Sequence, residues 1–146
     1  MPLKITLKPN ERMIIGGAVV TNGNTKSDFI IENNVPILRQ KDIMSVKDAG
    51  SPGSRIYFVI QLMYIDEENL TTHHNTYWKL VQDFVKAAPS MLGLIDQISE
   101  HILSNRHYQA LKLSKKLIVY EQEEMSYAYE SIAGIQYHQQ GDHVRP

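Results

Sequence analysis

The sequence contains no cysteine, which excludes disulfide bonds, thiolate nucleophiles and thiolate metal sites. It also lacks any apolar run near the roughly 18 residues that a membrane-spanning helix needs. The segment from Met1 to Leu7 is interrupted by Lys4, too early for the apolar core of a signal peptide. These absences predict a cytoplasmic protein that does not engage membranes.

Charge of either sign is not in strong excess. The net charge of the 146 residues is -1, which argues against binding of nucleic acid over the whole surface. Up to Asp66 there are eight Lys or Arg against six Asp or Glu, and from Glu67 onward there are seven against ten. A basic partner site is therefore expected in the first half.

Motifs for catalysis and cofactor binding are also missing. Gly16-Gly17 lacks the spacing of a phosphate-binding loop, and the serines of residues 50–54 lie among helix breakers rather than on a nucleophile elbow. His73 and His74 are adjacent and point to different sides, so they do not chelate one ion. Glu121 and its acidic neighbours suggest a solvated helix face. We predict no enzyme, no cofactor and no metal site.

Short strands are predicted for the first third of the chain. Leu3, Ile5 and Leu7 alternate with polar residues, which is typical of a strand with one buried face. Asn22-Gly23 predicts a hairpin turn, with a return strand over Asp28 to Glu32. This close spacing favours a small antiparallel sheet or barrel.

The segment from Pro36 to Met44 carries the most suggestive chemistry. A short apolar run that includes Leu38 anchors it, and Arg39, Gln40 and Lys41 follow directly. The planar fork of Arg and the point charge of Lys suit phosphates and guanine edges. The alternative is an edge strand whose charges discourage aggregation.

The middle of the chain predicts a loop and then a strand. Residues 47–54 are rich in Gly, Pro and Ser and indicate an exposed loop. Arg55 to Ile65 is almost entirely apolar and rich in β-branched and aromatic residues. This composition favours a strand buried on both faces over a buried helix.

Three amphipathic helices are predicted after the strands. They run from Thr72 to Pro89, from an N-cap at Ser90 to near Asn105, and from Arg106 to about Tyr129. The fold class is therefore α+β. A β-rich module of residues 1–66 precedes a helical segment of residues 67–146, which packs on the module or binds a partner. The strand edges need a cover, which a homodimer would supply.

Four stretches resemble the FlbT family of flagellum biosynthesis regulators, in the order that this family has them. They are Met1 to Arg12 with Gly17-Ala18-Val19-Val20, Val35 to Met44, Arg55-Ile56-Tyr57-Phe58, and Tyr108 to Lys112 with Lys115-Lys116-Leu117-Ile118 and Tyr120-Glu121.

The resemblance implies a regulator that binds the 5′ untranslated region of flagellin messenger RNA. It would control the translation and decay of that RNA, usually as a repressor and in some members as an activator. The resemblance also implies a functional link to the regulator FlaF and to flagellin. The alternative is therefore a protein-interaction or chaperone-like factor that binds FlaF or flagellin through the C-terminal helices.

Two segments are also similar to the CsrA-type RNA-binding regulators, namely Thr6 to Gly16 and Val35 to Ile43. Arg39 corresponds to the arginine with which those β-rich dimers hold RNA loops. Lys8 corresponds to one of two basic residues of their first strand, and Leu7 replaces the other. This similarity implies an RNA site for a single-stranded loop, formed by Lys4, Lys8, Arg12, Arg39 and Lys41.

Overall fold

The computed structural model describes the backbone of residues 2–143 and the side chains of residues 2–125. It is an α+β structure, as predicted. The strands are β1 (Leu3–Leu7), β2 (Arg12–Ile15), β3 (Ala18–Thr21), β4 (Ser27–Ile31) and β5 (Ile37–Arg39). The helices are α1 (Pro52–Ile65), α2 (Leu70–Ala87), α3 (Leu92–Leu103) and α4 (His107–His143).

The strands form two small antiparallel sheets instead of a closed barrel. One sheet pairs β1 with β4, and the other has the order β3, β2, β5. The tight turn between β2 and β3 is Gly16-Gly17, where φ is 54° and 89°, values that glycine adopts without strain. The predicted hairpin at Asn22-Gly23 is wrong, because the return strand β4 pairs with β1 rather than with β3.

The alternation of side chains along β2 and β5 separates two cores. Met13 packs with Ile5 and Leu7 of β1, between the two sheets. Ile14 and Leu38 face the other way and join the core of the helices. The β3-β2-β5 sheet is therefore the middle layer, because successive residues of a strand point to opposite faces.

The predicted strand over Arg55 to Ile65 is wrong, because these residues form helix α1. Pro52 occupies the first helical turn and the Ser51 hydroxyl accepts the backbone N–H of Ser54 at 3.1 Å, a favourable helix start. The helix packs against both α2 and α4, so it is apolar on nearly all sides. Such a sequence lacks the periodicity that distinguishes a buried helix from a buried strand.

The three predicted helices are confirmed as α2, α3 and α4, and with α1 the described chain has four. The side chain at the N-cap of α3 is Met91 instead of the predicted Ser90. Helix α4 extends past the predicted end near Tyr129. The helices pack in the order α2, α1, α4, α3. The division into an RNA-binding part, residues 1–66, and a partner-binding part, residues 67–146, stays a prediction. Helix α1 lies before this division but packs with the other helices.

Glu121 does not lie on a solvated helix face, as the sequence suggested, and residues 52–54 are not a loop. The Glu121 carboxylate accepts the Ser51 hydroxyl at 2.6 Å and the backbone N–H of Gly53 at 2.7 Å. A carboxylate at this place satisfies a free N–H group of α1 and complements the helix dipole. The contact also fixes α4 to the start of α1.

Candidate nucleic-acid interface

A shallow polar pocket of about 390 Å³ lies where the turn after β1 meets the turn after β5. Lys8 and Lys41, both exposed, line it from opposite turns. The remaining lining residues are Pro9, Asn10, Glu11 and Gln40. The structure thus brings together two of the predicted basic residues that are 33 positions apart in the sequence.

The turn that carries Lys8 is fixed by its backbone conformation and by hydrogen bonds from within and outside the turn. Asn10 has a φ of 64°, a left-handed conformation that asparagine tolerates. The Lys8 N–H donates to the Glu11 carboxylate at 2.8 Å. The buried carboxamide of Asn22 donates to the carbonyl oxygens of Leu7 and Lys8, at 3.2 and 2.9 Å. Asn22, predicted as a hairpin residue, therefore fixes this turn.

Arg12 lies next to the pocket at the start of β2. Its backbone N–H donates to the Gln40 side-chain oxygen at 2.7 Å. This bond joins β2 to the turn after β5, because Gln40 begins that turn. The Arg12 side chain is exposed, and Arg12 directly follows Glu11 of the pocket lining.

Arg39 links the two sheets. Its Nη2 donates to the Thr6 carbonyl of β1 at 3.0 Å and lies 3.6 Å from the Glu11 carboxylate. Its Nε is buried and has no hydrogen-bond partner among the described residues. The side chain is 39% exposed. Arg39 therefore combines a structural bond with a partly exposed side chain.

Lys4 does not line the pocket. Its Nζ lies 3.8 Å from the Asp28 carboxylate on the neighbouring strand β4, and both side chains are exposed. The pKa of Asp28 is lowered, chiefly because the Thr6 hydroxyl donates to it at 2.7 Å and secondarily because of Lys4. The Lys8 backbone and the Arg39 side chain thus contact Glu11, and the Arg12 backbone contacts Gln40. Lys41 follows Gln40 directly and lines the pocket, whereas Lys4 is separately paired.

The segment that carries Arg39 and Lys41 is held from below by one face of α1. Tyr57, Gln61 and Tyr64 are spaced four and three residues apart, so they share that face. The Tyr57 hydroxyl donates to the Asp42 carbonyl at 2.5 Å, and the Tyr64 hydroxyl accepts the Ile37 N–H at 3.1 Å.

Gln61 binds the same segment twice. Its amide accepts the Met44 N–H at 2.8 Å and donates to the Met44 carbonyl at 2.9 Å. The predicted strand over residues 55–65 does not reveal these contacts, because a strand would not place the three side chains on one face. In a helix, the 57-61-64 spacing would have revealed a polar row on an apolar element.

No group of three or more potential metal ligands occurs among the side chains that the structure describes. His74 and His107 come near each other, with ring centroids 6.1 Å apart, but they join α2 to α4 without further ligands. Within the described residues, no helix is long and apolar enough to cross a membrane.

Comparison with protein families matches residues 3–125 to the family described as flagellar protein FlbT. The chain belongs to the FlbT family. It is 44% identical over 123 residues to the probable flagellum biosynthesis repressor protein FlbT 1 of Bradyrhizobium diazoefficiens, covering 84% of each chain.

Other relatives are matched over nearly their full length. Identity is 38% to the probable repressor FlbT of a Caulobacter species, with 87% of this chain and 98% of the relative covered. It is 34% to the flagellum biosynthesis repressor FlbT of Caulobacter vibrioides, with 91% and 96% covered. No solved structure matches the chain significantly. The similarity to CsrA-type regulators stays a prediction.

Proposed function

We propose that this protein represses flagellum biosynthesis by binding the 5′ untranslated region of flagellin messenger RNA and controlling its translation and decay. The names of its relatives, which are flagellum biosynthesis repressors, support the regulatory role. The RNA-binding step is supported above all by the pocket that Lys8 and Lys41 line together.

The shape and charge of this site favour a single-stranded loop over a duplex. The cations are few, and the pocket is small enough to take a splayed base rather than a helix. Sequence-specific RNA recognition commonly uses unstacked bases in loops, whose edges are accessible. In this proposal Lys8, Arg12 and Lys41 contact phosphates. The partly exposed Arg39 side chain contacts a base edge, and Lys4 adds charge at the periphery.

The proposal is tested by fluorescence anisotropy with a flagellin 5′ leader RNA and a scrambled RNA. We expect the double variant Lys8→Ala/Lys41→Ala to weaken leader binding by about tenfold or more. The slope of log affinity against log salt should fall by about 1.4, since each phosphate contact on a single strand contributes about 0.7.

A matched control is the variant Lys47→Ala/Lys79→Ala, which removes two exposed lysines outside the pocket. It changes the net charge equally and should leave leader binding within about twofold. Equal losses for the two double variants would mean that only overall charge matters. Failure of the wild-type protein to prefer the leader over the scrambled RNA would refute the proposal.

The role of Arg39 requires a substitution that keeps its charge. Arg39→Lys retains a cation but loses the planar fork that pairs with guanine. We expect the preference for leader over scrambled RNA to fall by about 1 to 3 kcal/mol. Thermal unfolding of the variant serves as the control, because Arg39 also bonds the Thr6 carbonyl.

The protein-interaction hypothesis, with FlaF or flagellin as partner, stays an alternative proposal. The apolar residues Leu111 and Leu117 of α4 are buried in the core and are not available to a partner. A binding surface on the helices must therefore lie elsewhere. The homodimer is likewise still a prediction, which sedimentation equilibrium would test.

A further inference from the structure

The helical part is open on one side. Helix α2 packs chiefly against α1, and α3 packs chiefly against α4, whereas α2 and α3 touch only weakly. A groove of about 830 Å³ runs along this weak contact. We call it the α2/α3 groove; it lies outside the pocket of the proposed RNA site.

The floor of the α2/α3 groove is apolar and its walls are fixed. Val81, Val85 and Ile95 line it. The buried Tyr77 hydroxyl and the Ser99 hydroxyl are hydrogen-bonded at 2.8 Å, which ties α2 to α3 beneath the groove. Burial raises the pKa of Tyr77 to about 12, so this tie stays neutral and intact at physiological pH.

Large apolar side chains remain exposed along the groove. Trp78 is 38% exposed, Leu92 is 48% exposed and Leu103 is 71% exposed. All three line the same groove. Since α3 rises about 1.5 Å per residue, Leu92 and Leu103 are separated by roughly 16 Å, the length of three helical turns. An exposed apolar strip of this size commonly marks a binding surface.

The charges at the rim indicate what binds there. Asp96 and Glu100 are exposed and four residues apart, so they form an acidic row on the α3 side. Lys86 lies on the α2 side. An apolar floor beside an acidic row is complementary to an amphipathic helix that carries Lys or Arg next to its apolar stripe.

We propose that the α2/α3 groove binds an amphipathic helix of a partner protein, with basic residues of that helix facing Asp96 and Glu100. The bound helix covers the side of the four-helix arrangement on which α2 and α3 make few contacts with each other. The groove shares no lining residue with the polar pocket of the proposed RNA site.

Trp78 is the single tryptophan of the sequence, so its fluorescence reports directly on the groove. The probes are tryptophan-free amphipathic peptides of about four turns, with the leucine stripe in three registers and either Lys or Glu beside it. On titration into the full chain, we expect the Lys peptides to shift Trp78 emission to the blue in a saturable way.

Charge exchange is the decisive comparison. In Asp96→Lys/Glu100→Lys, affinity for the Lys peptide should fall roughly fivefold and affinity for the Glu peptide should rise by a similar factor, as expected for two exposed ion pairs. The variant Glu123→Lys/Glu124→Lys, which reverses two exposed carboxylates outside the groove, should leave the preference unchanged.

Three results would overturn the proposal. They are the absence of a saturable shift with every peptide, equal binding of Lys and Glu peptides to the wild-type chain, and a shift that depends on protein concentration without peptide. The last result, with a doubled mass in sedimentation, would identify a second copy of the chain as the occupant. The variant Lys8→Ala/Lys41→Ala should bind the peptides like wild type, so failure here is distinguishable from failure of RNA binding.

Discussion

The ammonium group of Lys115 on α4 contacts the buried carboxylate of Asp42, in the turn that follows β5. Asp42 is only 5% exposed, whereas the Lys115 side chain is 45% exposed. The pair connects the last long helix to the residue directly after Lys41, across 73 positions of sequence. The position of the proposed RNA pocket therefore depends on the packing of the helices.

Removal of Lys115 alone should lower the free energy of unfolding more than removal of both charges of the pair. Lys115→Met leaves a buried carboxylate without its cation, which should lower the free energy of unfolding by about 1 to 3 kcal/mol. Adding Asp42→Asn should recover part of this loss. Urea unfolding of the two single variants and the double variant measures the coupling; additive effects would show that the pair is energetically unimportant.

Gln61 should be the most sensitive residue of the polar row on α1. Gln61→Leu leaves both the N–H and the carbonyl of Met44 without partners, an expected loss of about 2 to 4 kcal/mol. Tyr57→Phe removes a single hydrogen bond and should cost about 1 kcal/mol. Urea unfolding measures which of the two variants loses more free energy of unfolding. Hydrogen exchange at the Met44 amide shows whether the loss of stability is local. A larger effect of Tyr57→Phe would contradict this assignment.

The sequence predicts the elements of this fold that bury one face and expose the other to solvent. The alternation in β1 and the helical spacing in α2 and α3 identify those elements because burial on a single face imposes a period. Helix α1 is apolar nearly all round, so its composition favoured a strand. The start signals Ser51 and Pro52 were present, but the neighbouring glycines suggested a loop.

The candidate site likewise has features that the sequence reveals and features that it does not. The charges of Lys8, Arg39 and Lys41 are visible in the sequence, and their resemblance to known regulators suggests their common use. The polar row of α1 that supports this segment is hidden in the sequence, because the 57-61-64 spacing has meaning only once residues 55–65 are known to form a helix. The Thr6 carbonyl that accepts Arg39 is a backbone atom, which no composition argument can identify.

Stability should decrease in mildly acidic solution because of His107. Burial lowers the pKa of His107 from its ordinary value of 6.5, nearby His74 lowers it further, and Glu67 acts in the opposite direction. The unfolded chain therefore binds more protons than the folded chain between about pH 6.5 and the lowered pKa. The contribution of neutral His107 is complete above that pH and is lost as the pH falls toward the lowered pKa.

Urea unfolding at pH 7.5 and 5.5 checks this direction. We expect a lower midpoint at pH 5.5 for the wild-type protein. The difference between the two midpoints should shrink in His107→Gln, and shrink less in His74→Gln, which removes only a secondary cause of the lowered pKa of His107. A difference that grows in His107→Gln would mean that the folded state binds the proton more tightly, contrary to its burial.

The contact of Glu121 with the start of α1 predicts a substitution whose effect changes sign with its background. A Cβ atom at Gly53 would lie 2.5 Å from a Glu121 carboxylate oxygen, so Gly53→Ala displaces Glu121 from Ser51 and the Gly53 N–H. Loss of these charge-assisted bonds costs about 1.5 to 3 kcal/mol, whereas alanine favours the helix by about 1 kcal/mol over glycine.

In the wild-type background, Gly53→Ala should therefore reduce the free energy of unfolding by about 0.5 to 2 kcal/mol. In the Glu121→Ala background there is no carboxylate to displace, and the same change should stabilise the protein by up to about 1 kcal/mol. Urea unfolding of the four proteins measures both effects. If Gly53→Ala has the same sign in both backgrounds, the Glu121 contact is not what selects glycine at this position.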